Sequence, residues 1–165
     1  MRSTPYRVLF LCTGNSARSI LAESLLNQLG GDRFQAFSAG SQPKGEVHPQ
    51  ALVTLSRKGH DTSNLYSKSW QDFDSAAGEA QMDFVFTVCD SAAAETCPIW
   101  PGHPTTAHWG IPDPAAVIGR DDEIAQAFCQ AYTQLKCRIE AFIALTDLGT
   151  DSPALKANLR EIGQI

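Results

Sequence analysis

Cys12 is followed by Thr13, Gly14, Asn15, Ser16 and Ala17, and then by Arg18 and Ser19. A thiol and a guanidinium spaced in this way can serve one tetrahedral anion. Successive backbone N–H groups of a short loop entering a helix converge on a point, and the helix N-terminus adds positive potential there. The amides of Thr13, Gly14, Asn15, Ser16, Ala17 and Arg18 are therefore the expected oxyanion-binding set. The Arg18 guanidinium can grip two oxygens at once. The same positive field is expected to lower the Cys12 pKa and hold a thiolate, with Ser19 donating a hydrogen bond to the sulfur. Gly14 offers backbone angles that a side chain forbids, and Asn15 tolerates left-handed geometry while bonding neighbouring turns.

Four further cysteines, Cys89, Cys97, Cys129 and Cys137, bring the total to an odd number, so full pairing is impossible. Cys129 and Cys137 fall beside or opposite the apolar stripe of a long helix and read as bystanders. Cys89, Cys97, His103 and His108 follow the spacing C-x7-C-x5-H-x4-H. Paired cysteines of structural zinc sites stand closer, so no metal is expected. His48 and His60 fall in loops or at helix starts, with solvent as their expected partner. Lys44 and Lys68 read as solvated surface.

The elements that must position the cysteine loop are legible around it. Residues 7–12 form a continuous apolar run, which suits a strand buried on both faces. A helical pattern follows, with Ala17, Ile20, Leu21, Leu25 and Leu29 at spacings of three and four, and Gly30-Gly31 ends it as a left-handed cap. A second strand is expected over 34–38, giving a right-handed βαβ unit. A helix is expected over 49–58 with Ala51, Leu52 and Leu55 inward, then a polar loop with a short helical turn over 61–80. Strands over 83–89 and 105–109 come next. Ile124, Phe128, Ala131, Leu135, Ile139 and Phe142 mark a long amphipathic helix, and a short helix over 154–162 closes the chain. Alternating elements imply an α/β fold in three layers, a four-stranded parallel sheet flanked by helices on both faces. The cysteine loop leaves the carboxyl end of the first strand, where open α/β sheets bind ligands.

With 165 residues the chain suits one domain, expected to span 1–165. A chain of this size buries roughly two-thirds of its unfolded surface and needs no staple to fold. The 13 Lys+Arg against 18 Asp+Glu give a net charge of -5, which argues against nucleic-acid binding by overall charge. No run approaches membrane-spanning length, and Met1 to Pro5 do not open a secretory signal. The expected compartment is the cytoplasm, where cysteines more often serve redox chemistry or catalysis than structural bridges.

The loop Cys12…Arg18-Ser19 resembles the C-x5-R-[ST] loop of the low-molecular-weight protein tyrosine phosphatase superfamily. The resemblance covers roughly 6–146 and leaves 147–165 as a C-terminal helical tail. It implies that Asp113, which precedes Pro114, is the general acid. Ala115 stands where the tyrosine phosphatases carry an aromatic residue. The stretch Val88-Cys89-Asp90-Ser91, Cys97-Pro98 and His108-Trp109-Gly110 is instead similar to the arsenate reductase branch. That likeness implies a sequence of exchanges. Cys12 attacks arsenate, Asp113 protonates the departing oxygen, Cys89 attacks Cys12 to release arsenite, and Cys97 moves the disulfide outward to Cys89–Cys97. Thioredoxin, or glutaredoxin with glutathione, would then reduce it, and no cofactor is required in the chain. Seven residues separate Cys89 and Cys97 where well-known relatives have six, and Ala17 replaces a second loop cysteine. Some members hold an alkali cation behind the loop. Asn15, Glu23 and Ser38 match that site, but Lys68 stands where an acidic residue is expected. Two other readings stay open: a phosphatase acting on phosphotyrosine or aryl phosphates, and a non-enzymatic oxyanion- or thiol-sensing module.

Overall fold

The structure, a computed structural model, describes residues 3–74, 81–90, 104–146, 148–149 and 152–165. Strand β1 (Tyr6–Cys12) leads into helix α1 (Arg18–Leu29), then β2 (Phe34–Gly40), α2 (Pro49–Arg57), the single turn α3 (Gln71–Asp74), β3 (Phe84–Thr87), β4 (Thr105–His108), α4 (Asp121–Ile143) and α5 (Pro153–Ile162). The sheet order is β2-β1-β3-β4 and every pairing is parallel. β1 lies inside the sheet, and its residues from Val8 to Cys12 are all buried. Its alternation divides the core. Val8, Phe10 and Cys12 face the larger cluster with α1, α2, α4 and α5, whereas Leu9 and Leu11 face a smaller one closed by Phe37, Trp70 and Phe73. This two-sided burial is what the unbroken apolar run requires.

α1 is nearly all buried from Ser19 to Leu26, because it is caught between the sheet and α4. α2 starts at Pro49, after His48 Nδ1 accepts from the Gln50 N–H at 3.0 Å. Thr54 is buried there beside Ala51 and Leu55, and Leu52 is only partly so. Gly30 keeps a right-handed conformation, and the left-handed residue expected of the pair is Gly31, at φ 57°. A short 3-10 turn over Gly31–Arg33 separates α1 from β2 and shifts the reversal by one residue. α5 packs its Leu155, Leu159 and Ile162 into the larger core. Ser152 accepts from the Leu155 N–H at 3.1 Å and caps it. Cys97, Trp100 and His103 lie outside the described residues.

Candidate active site

The turn from β1 to α1 is held from outside by its carbonyls. Gln42 N–H donates to Thr13 O, Lys44 N–H to Gly14 O and His48 N–H to Ser16 O, each at 2.9–3.0 Å. Turning the carbonyls outward turns the amides inward. Thr13 N–H reaches the Cys89 sulfur at 3.3 Å, and Gly14 N–H reaches that of Cys12. No acceptor among the described residues takes the N–H groups of Asn15, Ser16 or Ala17. The open oxyanion set is thus narrower than the expected run from Thr13 to Arg18: the first two amides are committed to sulfur. Asn15 has the left-handed φ of 43°, as its side chain allows, while Gly14 does not. Gly14 instead leaves room for Lys44, whose Cε would stand 3.2 Å from an added Cβ. A requirement for glycine the sequence reading missed is at Gly40, where a Cβ would meet Thr13 O at 2.4 Å.

Arg18 opens α1 and lies largely buried. Its NH1 donates to Ile111 O at 3.1 Å, and its NH2 stands 3.5 Å from Asp113 Oδ2. Its Nε is buried with no partner among the described residues, a spare donor beside the loop. Asp113 is partly exposed and caps a 3-10 turn, Pro114–Ala116, accepting from Ala115 N–H at 2.9 Å. The structure therefore brings Cys12, Arg18 and Asp113 to one place from three separate elements. Cys89 joins them from the end of β3: its thiol is buried and hydrogen-bonds to Cys12.

That contact overturns one expectation. Cys12 is pushed up from the ordinary thiol range, first by its hydrogen bond with Cys89 and then by burial. Arg18 and the Gly14 N–H pull the other way and do not prevail. Two adjacent buried thiols cannot both ionise cheaply. Ser19 is also reassigned: its hydroxyl accepts from Asn15 Nδ2 at 2.8 Å instead of serving the Cys12 sulfur.

The cysteine loop, the strand it leaves and the fold around them are those of a known group. A family model for low molecular weight phosphotyrosine protein phosphatase matches residues 7–154. The chain belongs to this family. Within it, the chain is 35% identical over 135 residues to an arsenate reductase of Bacillus subtilis (strain 168), covering 82% of this chain and 93% of that protein. It is 34% identical over the same length, with the same coverage, to an arsenate reductase of Shouchella clausii. A solved structure described as an arsenate reductase in the phosphate binding state superposes with TM-score 0.68 at 27% identity, over 84% of this chain and 97% of that one. A thioredoxin-dependent arsenate reductase of Corynebacterium glutamicum superposes with TM-score 0.56 at 26% identity, and the match spans 85% of this chain but only 64% of that one.

The family's alkali-cation position does not fit a cation here. Lys68 is buried, not the solvated surface residue expected of it. Its Nζ stands 3.3 Å from Glu23 Oε1 and 3.5 Å from Ser38 Oγ, and donates to Tyr66 O at 2.8 Å. Ser38 Oγ donates to Glu23 at 2.6 Å, and Lys68 N–H donates to Asn15 Oδ1 at 2.7 Å. An ammonium thus occupies the middle of the oxygen set. Burial raises the Glu23 pKa, and the Lys68 charge and the Ser38 hydroxyl offset part of that rise. Through Asn15 this network bears directly on the cysteine loop. A lone lysine in a polar stretch carries no periodic signal, so only the family resemblance, which set Lys68 beside Asn15, Glu23 and Ser38, marked it as internal.

His60 is another residue the sequence left in solvent and the fold buries. Its Nδ1 pairs with Ser24 Oγ and its Nε2 with Tyr132 OH, both at 2.8 Å. Burial lowers its pKa, favouring the neutral ring that this pairing suits. His108 bridges two groups beside Cys89: Thr87 Oγ1 at 2.7 Å from its Nδ1, and Asp90 Oδ1 at 2.8 Å from its Nε2.

Proposed function

We propose that this chain reduces arsenate to arsenite, using Cys12 as nucleophile, Arg18 and the amides of Asn15 to Arg18 as anion clamp, Asp113 as general acid and Cys89 as second thiol. The observation that carries this reading is a second buried thiol brought to the anion loop: Cys89 lies beside buried Cys12, and its sulfur accepts from the Thr13 N–H of the loop at 3.3 Å. Phosphate ester hydrolysis needs one thiol there. A two-electron reduction needs two that can bond.

The resting pair is neutral, so the substrate supplies the base. Arsenate dianion takes the Cys12 proton as the sulfur attacks arsenic. Asp113 relays a proton to the departing oxygen and recovers one from the bound anion, so water leaves and a Cys12–arsenic bond remains. Arg18 and the loop amides neutralise the charge on the remaining oxygens. The Cys89 thiol then gives up its proton and attacks the Cys12 sulfur. The sulfur–arsenic pair passes to arsenic, reducing it from the +5 to the +3 state, and arsenite leaves with that proton. The two thiols have become a Cys12–Cys89 disulfide, so electrons balance. Cys97 attacks Cys89 next, freeing the Cys12 thiol and carrying the disulfide to Cys89–Cys97.

The reductant we favour is a thioredoxin-type dithiol protein, acting in the cytoplasm. The resemblance to a thioredoxin-dependent reductase supports it, and residues 1–165 work as one domain in this scheme. The test is arsenate turnover with a thioredoxin system, a glutaredoxin–glutathione system, and aryl phosphate hydrolysis alongside. Arsenite formation with thioredoxin supports the whole reading. Turnover with glutaredoxin alone replaces the reductant. Rapid phosphate hydrolysis with no arsenite formed sinks the arsenate assignment.

A further inference from the structure

We infer that Arg138 and helix α5 form a brace that positions the Asp113 loop against Arg18. The inference rests on the anion-site reading above and concerns parts of the chain that reading leaves unused. Arg138 lies on α4 and is almost wholly buried. Its NH1 donates to two consecutive carbonyls, Trp109 O at 2.7 Å and Gly110 O at 3.2 Å, and its Nε donates to Ile165 O at 3.1 Å. The acceptors found for this cation are therefore backbone carbonyls, at the start of one loop and at the end of the segment that carries α5.

The loop that begins at Trp109 is the one Arg18 holds from the other side. One residue after Gly110, Ile111 O accepts from Arg18, and Asp113 follows two residues later. Two guanidiniums thus grip adjacent peptide units: Arg138 from the core and Arg18 from the anion site. α5 completes the brace. The Trp109 indole N–H donates to Leu159 O at 2.9 Å, and the indole, fully buried, stacks on Phe86 with ring centroids 4.1 Å apart. If α5 moved away, Trp109 Nε1 and Arg138 Nε would both lose their acceptors in a dry environment, which is costly. The family match ends at 154, so almost all of α5 lies outside it. We assign Arg138 as a positioning residue: it touches no substrate and acts through the loop that bears the acid.

The test uses the full-length chain, wild type and Arg138→Lys, with amide hydrogen exchange measured with and without saturating inorganic phosphate. Phosphate is expected to slow exchange over 109–113 and also over 153–162 in the wild type. In Arg138→Lys the slowing over 13–19 should persist while that over 153–162 is lost. Steady-state arsenate reduction supplies the second readout. Arg138→Lys should lower kcat about tenfold by misplacing Asp113, with KM nearly unchanged because the loop amides still hold the anion. Protection over 109–113 with none over 153–162 in the wild type overturns the inference, as does wild-type kcat in Arg138→Lys. Should the variant fail to fold, the wild-type exchange decides alone. A wild type with coupled protection but no arsenate turnover would remove the arsenate reading and leave the brace standing.

Discussion

Replacing Lys68 with methionine tests whether an internal ammonium supports the cysteine loop. The substitution roughly preserves the side-chain volume and deletes one charge. Lys68 Nζ and Glu23 Oε1 are 3.3 Å apart, with side chains only 6% and 11% exposed. Removing one partner of a buried pair leaves the other charge uncompensated and costs about 3–5 kcal/mol. For a chain of this size, that corresponds to a drop in Tm of roughly 6–20 °C. The loss should depend on pH, and its sign follows from Glu23. Burial already raises the folded-state pKa of Glu23 above its ordinary value of 4.5, against the pull of Lys68. A folded state that binds the proton more tightly loses stability as pH rises from the unfolded pKa through the folded one. Without Lys68 the folded pKa rises further, so this loss grows and extends to higher pH. The deficit of Lys68→Met relative to wild type should be largest above neutrality and should shrink below the ordinary carboxylate range.

Thermal unfolding followed by circular dichroism at pH 5 and pH 8 reads both quantities. Adding Glu23→Gln to Lys68→Met should recover much of the lost stability, because the orphaned charge is then gone. The backbone N–H at position 68, which donates to Asn15 Oδ1, is retained in the variant, so any fall in arsenate turnover would report a shift of that backbone once the ammonium is gone. A single variant that melts with the wild type at both pH values would refute the argument. So would a deficit that is the same at both, because the penalty would then not come from the Glu23 charge.

Arg18→Lys keeps the charge and loses the planar fork, so kcat/KM for arsenate should fall about 100-fold; unchanged kinetics would remove the clamp. Cys97→Ser should release one arsenite per chain and then stop, as read by arsenite yield against enzyme with thioredoxin present; undiminished turnover would take Cys97 out of the relay. His108→Ala releases Asp90, the neighbour of Cys89, from its 2.8 Å contact. Single-turnover arsenite release should slow about tenfold while aryl phosphate hydrolysis, which bypasses Cys89, stays unchanged; equal loss of both would mean that His108 acts elsewhere.

The parts of this molecule legible from sequence are those encoded by local pattern. The unbroken apolar run into Cys12, the turn residues after it and the period of α1 placed the loop at the carboxyl end of a strand, and the spans found agree within about two residues. The residues that escaped do their work through contacts distant in sequence. Lys68 meets Glu23 across 45 positions, and His60 meets Tyr132 across 72. Such partners share no periodicity, and a polar side chain in a loop looks the same whether the fold buries it or not. Gly40 shows the same limit for backbone: a strand-end glycine reads as punctuation until the neighbouring loop is seen lying against its α-carbon.

The charge of the site follows from the same contacts. In a chain of net charge -5, a standing thiolate at Cys12 would add negative potential where an anionic substrate must enter. The hydrogen bond that the Cys12 thiol donates to Cys89, together with burial, keeps that sulfur protonated, leaving Arg18 and the inward amides as the local positive field. Arsenate then brings both the charge that field is built to hold and the base that frees the nucleophile. A reductase needs Cys89 next to Cys12 for its second step. The same placement keeps the thiol pair neutral before the first, so one contact serves anion capture and electron transfer in turn.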